Sequence, residues 1–170
     1  MNAAARRQRR HRRNLTRRGK PDDHPLRILL LLMVLLVLCQ AAVGMAVNLY
    51  VTIPGHHPGS QPSNYLTGSA DSIGWALGHG VVVLAAHVAL GLALVLVAIA
   101  LAVVVLRARR RAVAVWSVLG GLLTIGAAFN GASFLDFGKN ASSLIMALLT
   151  FAAIASYVAA LYELSPARCR

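Results

Sequence analysis

The chain has 170 residues, 58% of them hydrophobic and only 13% charged, whereas about 25% of the residues in a typical soluble domain are charged. That composition excludes an ordinary water-soluble domain and predicts an all-α membrane protein. The formal net charge of +12 is concentrated, because every lysine and arginine except Lys139 lies in residues 6–27, in residues 107–111 or in the C-terminal tail. Basic clusters stay on the cytoplasmic side of a membrane and therefore indicate topology.

The N-terminal segment, residues 1–25, is strongly basic and has almost no apolar side chains. Because it cannot bury a core, the sequence predicts a disordered cytoplasmic arm. The arm has no aromatic residue for base stacking and a membrane segment follows it, so anionic lipid headgroups are the predicted partner rather than nucleic acid. The arginines predicted to contact headgroups, in the arm and in the second basic cluster, are Arg6, Arg7, Arg9, Arg10, Arg12, Arg13, Arg17, Arg18, Arg107, Arg109, Arg110 and Arg111.

Four transmembrane helices are predicted in a bundle between residues 26 and 164, because four apolar runs each exceed the roughly 20 residues that cross a bilayer. The predicted helices cover about residues 26–53, 74–106, 112–137 and 141–164. Residues 54–73 are rich in Pro, Gly and Ser and are predicted to form a loop, and residues 165–170 a cytoplasmic tail. A cleaved signal peptide is the alternative for the first run, given its basic lead and the Gly44-x-Ala46 pair.

The predicted topology places every basic cluster in the cytoplasm, with both termini inside and residues 54–73 and 136–140 outside. The chain has 15 arginines and only 2 lysines, a bias that a GC-rich bacterial genome would produce. The sequence therefore predicts a multi-pass protein of the bacterial cytoplasmic membrane. Trp75 falls near the predicted outer boundary, where aromatic rings anchor a helix. Small residues recur at helical spacing, as in Gly74-x-x-x-Gly78, which predicts a compact bundle or association with itself or with other subunits of a membrane complex.

The stretch GWALGHGVVVLAAHVALG, residues 74–91, places His79 and His87 on the second predicted helix. Eight residues along one helix separate them by roughly 12 Å and roughly 80°, so both are predicted to face one side. Polar residues of other helices reach the same outer half, where an unpaired polar group is costly in lipid. The sequence therefore predicts an outward-facing polar pocket that contains Asn48, Asn130 and Ser133.

A haem b site is one alternative for this pocket, because a neutral imidazole is an axial haem ligand and Gly91 would leave room beside the ring. His79 and His87 are too far apart to bind the same iron, so Met45 or Met146 would supply a second ligand. A redox membrane protein is the function that this alternative predicts. Proton sensing or transfer through His87 is another alternative.

A divalent metal site is a further alternative. His56 and His57 in the outer loop suit copper or zinc, with His79 and with Asp71 or Asp136 as further ligands. In the simplest alternative, both helix histidines are hydrogen-bonded packing residues of the bundle.

No common catalytic constellation is present, because the apolar region has no paired carboxylates, no serine or cysteine with an obvious basic partner and no glycine-rich phosphate loop. Cys39 lies inside the first apolar run and Cys169 in the tail, so a disulfide between them is not expected. The favoured function is therefore a non-enzymatic accessory or assembly component whose outward face binds a ligand. A small-solute transporter that works as an oligomer is a further alternative.

Two stretches, NLYVTIPGHHPGSQPSNYLTGSADSIGWAL and AAFNGASFLDFGKNASSLIMALL, carry a resemblance to small four-helix integral membrane proteins of GC-rich Gram-positive (actinobacterial) bacteria. The resemblance covers residues 26–164 and implies a four-helix fold in a bacterial cell membrane, with no particular reaction. The helix with a histidine followed by a glycine also looks like those of membrane b-type cytochromes and haem A synthase. The partner histidines that those families carry on another helix are missing from this sequence.

Overall fold

The computed structural model describes residues 23–165, which form five helices and no strand. The helices are α1 His24–Tyr50, α2 Tyr65–His79, α3 Val82–Arg107, α4 Arg111–Phe137 and α5 Asn140–Glu163. All except α2 are long and apolar enough to cross a membrane. The predicted all-α fold with four candidate spans is confirmed over this range. The predicted arm ends at residue 25, but its last two residues already belong to α1. Residues 1–22, which include all of the arm's arginines, and nearly all of the predicted tail lie outside the described residues.

The second predicted helix, residues 74–106, is wrong as a single helix. The side-chain oxygen of Asn64 accepts hydrogen bonds from the backbone amides of Leu66 at 3.0 Å and Thr67 at 3.3 Å and so starts α2 within the predicted loop. Gly80 then ends α2 in an extended conformation, with φ −70° and ψ 157°, before α3 begins. His79 and His87 therefore lie on different helices, and the predicted spacing between them along one helix does not apply.

The four long helices are arranged in a ring in the order α1, α3, α4, α5, and the contact between α4 and α5 is the most extensive. Two polar contacts bring the start of α1, the α3–α4 turn and the end of α5 together. The Arg110 guanidinium donates to both carboxylate oxygens of Asp23, at 2.9 and 3.0 Å, and Arg27 donates to the Leu164 carbonyl oxygen. We call this the basic end of the bundle. The opposite end, covered by residues 51–64 and α2, is the capped end.

The half of the bundle next to the basic end is filled with apolar side chains. Tyr157 of α5 is its largest fully buried side chain, and a Cβ on Gly120 of α4 would lie only 2.8 Å from the Tyr157 ring. The missing side chain of Gly120 therefore lets the ring approach the α4 backbone. The remaining buried residues of this core come from all four long helices: Leu30, Met33, Val34, Val37, Leu94, Ala98, Leu101, Val105, Val113, Ala114, Ala153, Ala160 and Leu164.

Large apolar side chains cover the outside of the four long helices. Leu96 is 69% exposed, Leu122 62% and Phe151 65%, and many other large apolar residues of these helices are exposed to a smaller extent. Such a surface would associate or aggregate in water, whereas it matches the hydrocarbon of a bilayer. The fold is therefore that of a multi-pass helical membrane protein.

Replacing Tyr157 tests how far the fold depends on the filled half. Tyr157→Ala is expected to lower the free energy of unfolding by about 3–5 kcal/mol, because it leaves a cavity at the centre of four helices. Tyr157→Phe is the matched control, since it loses only a hydroxyl that lies 3.5 Å from Thr124 Oγ1, and should cost about 1 kcal/mol or less. Unfolding of the purified protein in detergent measures both changes. Equal losses for the two variants would contradict this account.

Candidate functional site

A cavity of about 620 Å³ lies in the half of the bundle next to the capped end, and all four long helices line it. Glycine and alanine residues stand among larger side chains in its walls and leave space between the helices. Those small lining residues include Ala41, Gly44, Gly91, Ala127, Gly131 and Ala147. A close-packed protein interior contains few voids of this size. The cavity is therefore the first candidate for a ligand site.

Gln40 and His87 join α1 to α3 at one wall of the cavity. The Gln40 amide nitrogen donates to the His87 carbonyl oxygen at 3.1 Å and lies 3.4 Å from the ring Nε2. A Cβ on Gly44 would lie 2.7 Å from His87 Cε1, and one on Gly91 would lie 3.1 Å from the Gln40 amide nitrogen. Each polar side chain thus rests on a glycine of the opposite helix, and on both helices glycine and polar residue are four positions apart. We call these four residues the clasp.

The clasp leaves neither ring nitrogen of His87 open to the cavity. Nε2 faces the Gln40 amide, and Nδ1 is buried without a hydrogen-bond partner. Binding of a haem iron by His87 would therefore require the ring to leave Gln40. In the arrangement seen here the imidazole packs between α1 and α3.

The two methionines proposed as second haem ligands lie in the cavity wall on different helices. Met45 of α1 is 59% exposed, and the Met146 sulfur on α5 lies over Gly131, where a Cβ would be 3.3 Å away. His79, the other candidate ligand, is exposed at the end of α2 and does not line the cavity. His87 and both methionines therefore share the cavity, and His79 lies apart from them.

The residues of the predicted polar pocket are divided between two places. Asn48 lines the cavity near the capped end. Asn130 instead donates to the carbonyl oxygen of Gly126 on its own helix at 2.9 Å, and Ser133 lies 3.0 Å from the Tyr65 hydroxyl of α2. The structure therefore places Asn48 and His87 in the cavity wall, while Asn130 and Ser133 do not line it.

Sequence reasoning did not single out other polar residues of the lining: Gln40, Thr124, Asn140 and Thr150. Ser143 also lines the cavity, near the start of α5. Gln40 did carry a signal, because it is a lone amide in the middle of an apolar run and precedes a glycine by four residues. Thr124 and Thr150 carried none, because a hydroxyl within a membrane helix can be satisfied by its own backbone.

The cap, which consists of residues 51–64 and α2, is fixed to the end of α4 through His57. Its ring stacks on Trp75 of α2, with ring centroids 4.4 Å apart and an angle of 17° between the planes. One ring nitrogen lies 2.9 Å from the Pro58 carbonyl oxygen and the other 3.2 Å from that of Leu135. Both nitrogens of His57 thus face backbone carbonyl oxygens, and a neutral ring can donate its single N–H to only one of them.

Asp136, near the end of α4, is enclosed by the cap and is only 1% exposed. The Ser69 hydroxyl of α2 donates to one carboxylate oxygen at 2.7 Å, and the other oxygen has no partner among residues 23–165. The backbone N–H of Gln61 donates to the backbone carbonyl oxygen of Asp136 at 2.9 Å, which satisfies one of the carbonyls left unpaired at a helix end. Asp136 therefore anchors the cap through both its side chain and its backbone.

The metal-site hypothesis lacks the cluster it needs. His56 and Asp71 are both exposed on the cap, His57 is engaged as described, and Asp136 is buried against Ser69. Within residues 23–165 no three His, Cys, Asp or Glu side chains come together in a group that could hold a metal ion. The structure thus does not bring the four metal candidates together.

The second basic cluster lies at the α3–α4 turn. Arg107 ends α3 and Arg111 begins α4, and both are exposed together with Arg109. Arg110 is engaged with Asp23. A role in headgroup binding remains a prediction for all four.

Comparison of the chain with protein-family models, with curated protein sequences and with solved structures found no match in any of the three. Function therefore has to be argued from the cavity, the clasp and the cap.

Replacing Gly44 tests the clasp. Gly44→Ala is expected to destabilise the protein by about 1–3 kcal/mol, because the new Cβ overpacks against the His87 ring. Gly74→Ala is the control, since a Cβ there meets nothing within 4 Å. Combining Gly44→Ala with His87→Ala should cost less than the sum of the single changes, because the small side chain relieves the clash. Additive losses measured by unfolding in detergent would show that Gly44 and His87 do not act together.

Proposed function

We propose that the protein is a non-enzymatic accessory or assembly component of the bacterial cytoplasmic membrane that binds a ligand in the cavity of its outward half. The single observation that carries the proposal is the cavity itself, which all four long helices line. Its described lining includes no carboxylate, cysteine, lysine or arginine, and the ring of its one histidine packs in the clasp. These residues suit binding better than acid–base or nucleophilic chemistry.

The orientation of the protein follows from its basic residues. The basic end carries the arginines at the α3–α4 turn, the start of α1 that follows the basic arm, and the end of α5. Lysine and arginine are retained on the cytoplasmic side. We therefore place the basic end, and with it both termini, in the cytoplasm and the capped end outside.

Single cysteines introduced at the two ends test this orientation. Starting from the double variant Cys39→Ala, Cys169→Ala, we expect Ser63→Cys in the exposed cap loop to react with a membrane-impermeant maleimide in intact bacterial cells. Ala108→Cys, exposed at the α3–α4 turn, should react only after the cells are lysed. The opposite labelling pattern would reverse the proposed topology.

Retention of a bound molecule tests the function. Native mass spectrometry of the full chain, purified in mild detergent, is expected to show a small molecule bound to the wild type. Ala147→Phe and Ala128→Leu fill the cavity from two different helices and should lose that molecule. Ala155→Phe is the matched control, because Ala155 is exposed on α5 outside the cavity and should retain it. The same bound mass in all four proteins, or none in any of them, would contradict a ligand site in the cavity.

The same purified protein separates this proposal from a haem-binding redox protein. Because the His87 ring is held by Gln40, we expect no Soret band in its absorption spectrum. A Soret band that His87→Ala abolishes would overturn the accessory role. The transporter alternative needs a polar path through the whole membrane, whereas the half of the bundle next to the basic end is filled by an apolar core.

A further inference from the structure

We propose that the ligand of the cavity is a lipid whose polar group is uncharged and forms hydrogen bonds, and that it enters sideways from the bilayer between α1 and α5. This inference rests on the proposed function and specifies the chemical class of the ligand. Five observations support it: the uncharged lining, the hydroxyls bonded within their own helices at the inner end, the polar groups near the capped end, the position of the opening and the buried cluster beneath the cap.

The lining carries no fixed charge. Its described residues include no Asp, Glu, Lys or Arg, and its only titratable side chain is His87. Two charged residues are next to lining residues in the chain but do not line the cavity themselves. Asp136 is enclosed by the cap, and Lys139 is exposed at the α4–α5 turn. An ionised headgroup transferred into such a site would lose part of its hydration without gaining a counter-charge from the lining. An uncharged polar group avoids that cost.

The inner end of the cavity offers a ligand almost no hydrogen bonds. Thr124 donates to the Gly120 carbonyl oxygen at 2.9 Å, and Thr150 donates to the Met146 carbonyl oxygen at 2.8 Å. Both hydroxyl protons are therefore used within their own helices. Apart from Gln40, whose Oε1 is buried without a partner among residues 23–165, the rest of that end is apolar and stops at the core around Tyr157. This end suits a hydrocarbon chain.

The opposite end of the cavity offers polar groups that are not engaged. Asn48 lies near the end of α1, and Asn140 and Ser143 lie at the start of α5. Their side chains make no hydrogen bond with another residue of the range 23–165. Two amides and a hydroxyl supply both donors and acceptors without charge. A ligand with its chain inward and a neutral polar group at this level matches both ends of the cavity.

The exposure of the lining indicates where the cavity opens. Towards the basic end α1 and α5 pack together within one buried core, which includes Met33 and Ala153. Beyond this contact, the most exposed large side chains of the lining belong to the same two helices, with Met45 59% and Leu144 61% exposed towards the capped end and Phe151 65% exposed near the middle of α5. The opening between α1 and α5 therefore faces the bilayer.

The capped end is closed by a second buried cluster. Val47, Ala76, Leu84 and Leu135 form this cluster, which brings α1, α2, α3 and α4 together beneath the cap. The cluster closes the capped end over α1, α3 and α4, and a ligand entering through that side would have to displace it. A lipid already dissolved in the bilayer reaches the cavity without disturbing either this cluster or the cap.

Two lipids with the same acyl chains and different headgroups test the inference. The full chain in detergent is titrated with dioleoylglycerol, which is uncharged, or with dioleoylphosphatidylglycerol, which is anionic, and binding is followed by native mass spectrometry. We expect the wild type and Ala155→Phe to bind dioleoylglycerol at least about tenfold more tightly than the anionic lipid. Ala147→Phe should lose dioleoylglycerol binding, and Asn48→Leu should weaken it about threefold to tenfold, as expected for one lost hydrogen bond.

Each other outcome overturns a defined part of the argument. Equal or tighter binding of the anionic lipid, still abolished by Ala147→Phe, would reject the uncharged class and keep the cavity as a ligand site. Binding that Ala147→Phe and Ala155→Phe reduce equally would reject the cavity as the lipid site. If neither lipid binds while the wild type still retains a molecule that Ala147→Phe lacks, the lipid class is wrong and the proposed function stands.

Discussion

The ring of Tyr157 pressed against Gly120 is the contact on which the shape of the bundle depends. Tyr157 is the largest of the described side chains that are fully buried, and the ring lies so close to α4 because residue 120 has no Cβ. Towards the basic end, apolar side chains of all four long helices interlock around it. Towards the capped end, a lining with many glycine and alanine residues leaves a cavity between the four helices. Four similar apolar helices thus build one half that holds the fold and another that leaves room for a ligand.

Most of the fold could be predicted because its signals are physical and local. Long apolar runs cross a bilayer, and Arg107–Arg111 and Gly138 interrupt them, so three of the four long helices begin and end within a few residues of their predicted limits. α2 was missed because serine and glycine composition indicates a loop, whereas the single side chain of Asn64 starts a helix there. The break at Gly80 was hidden inside an otherwise continuous apolar run.

The candidate site was predicted less completely, because a side chain's partner depends on how helices pack. Asn48 and Asn130 look alike in the sequence, yet one lines the cavity and the other bonds to its own helix. His79 and His87 also look alike until Gly80 separates their helices. Periodicity indicates which face of a helix a residue occupies. It does not indicate which helix lies opposite that face. The clasp could not be predicted for this reason, because its contacts form only when α1 packs against α3.

Away from the basic end, most of the polar contacts between helices belong to two units, the clasp and the cap. The clasp joins α1 to α3, while the bonds of His57, Tyr65 and Ser69 all run from the cap to the last third of α4, which has its largest contact with α5. The cavity lies along the seam between these units. Because α2 packs on both α3 and α4, the cap spans this seam, and widening the cavity at the capped end would have to part the cluster of Val47, Ala76, Leu84 and Leu135.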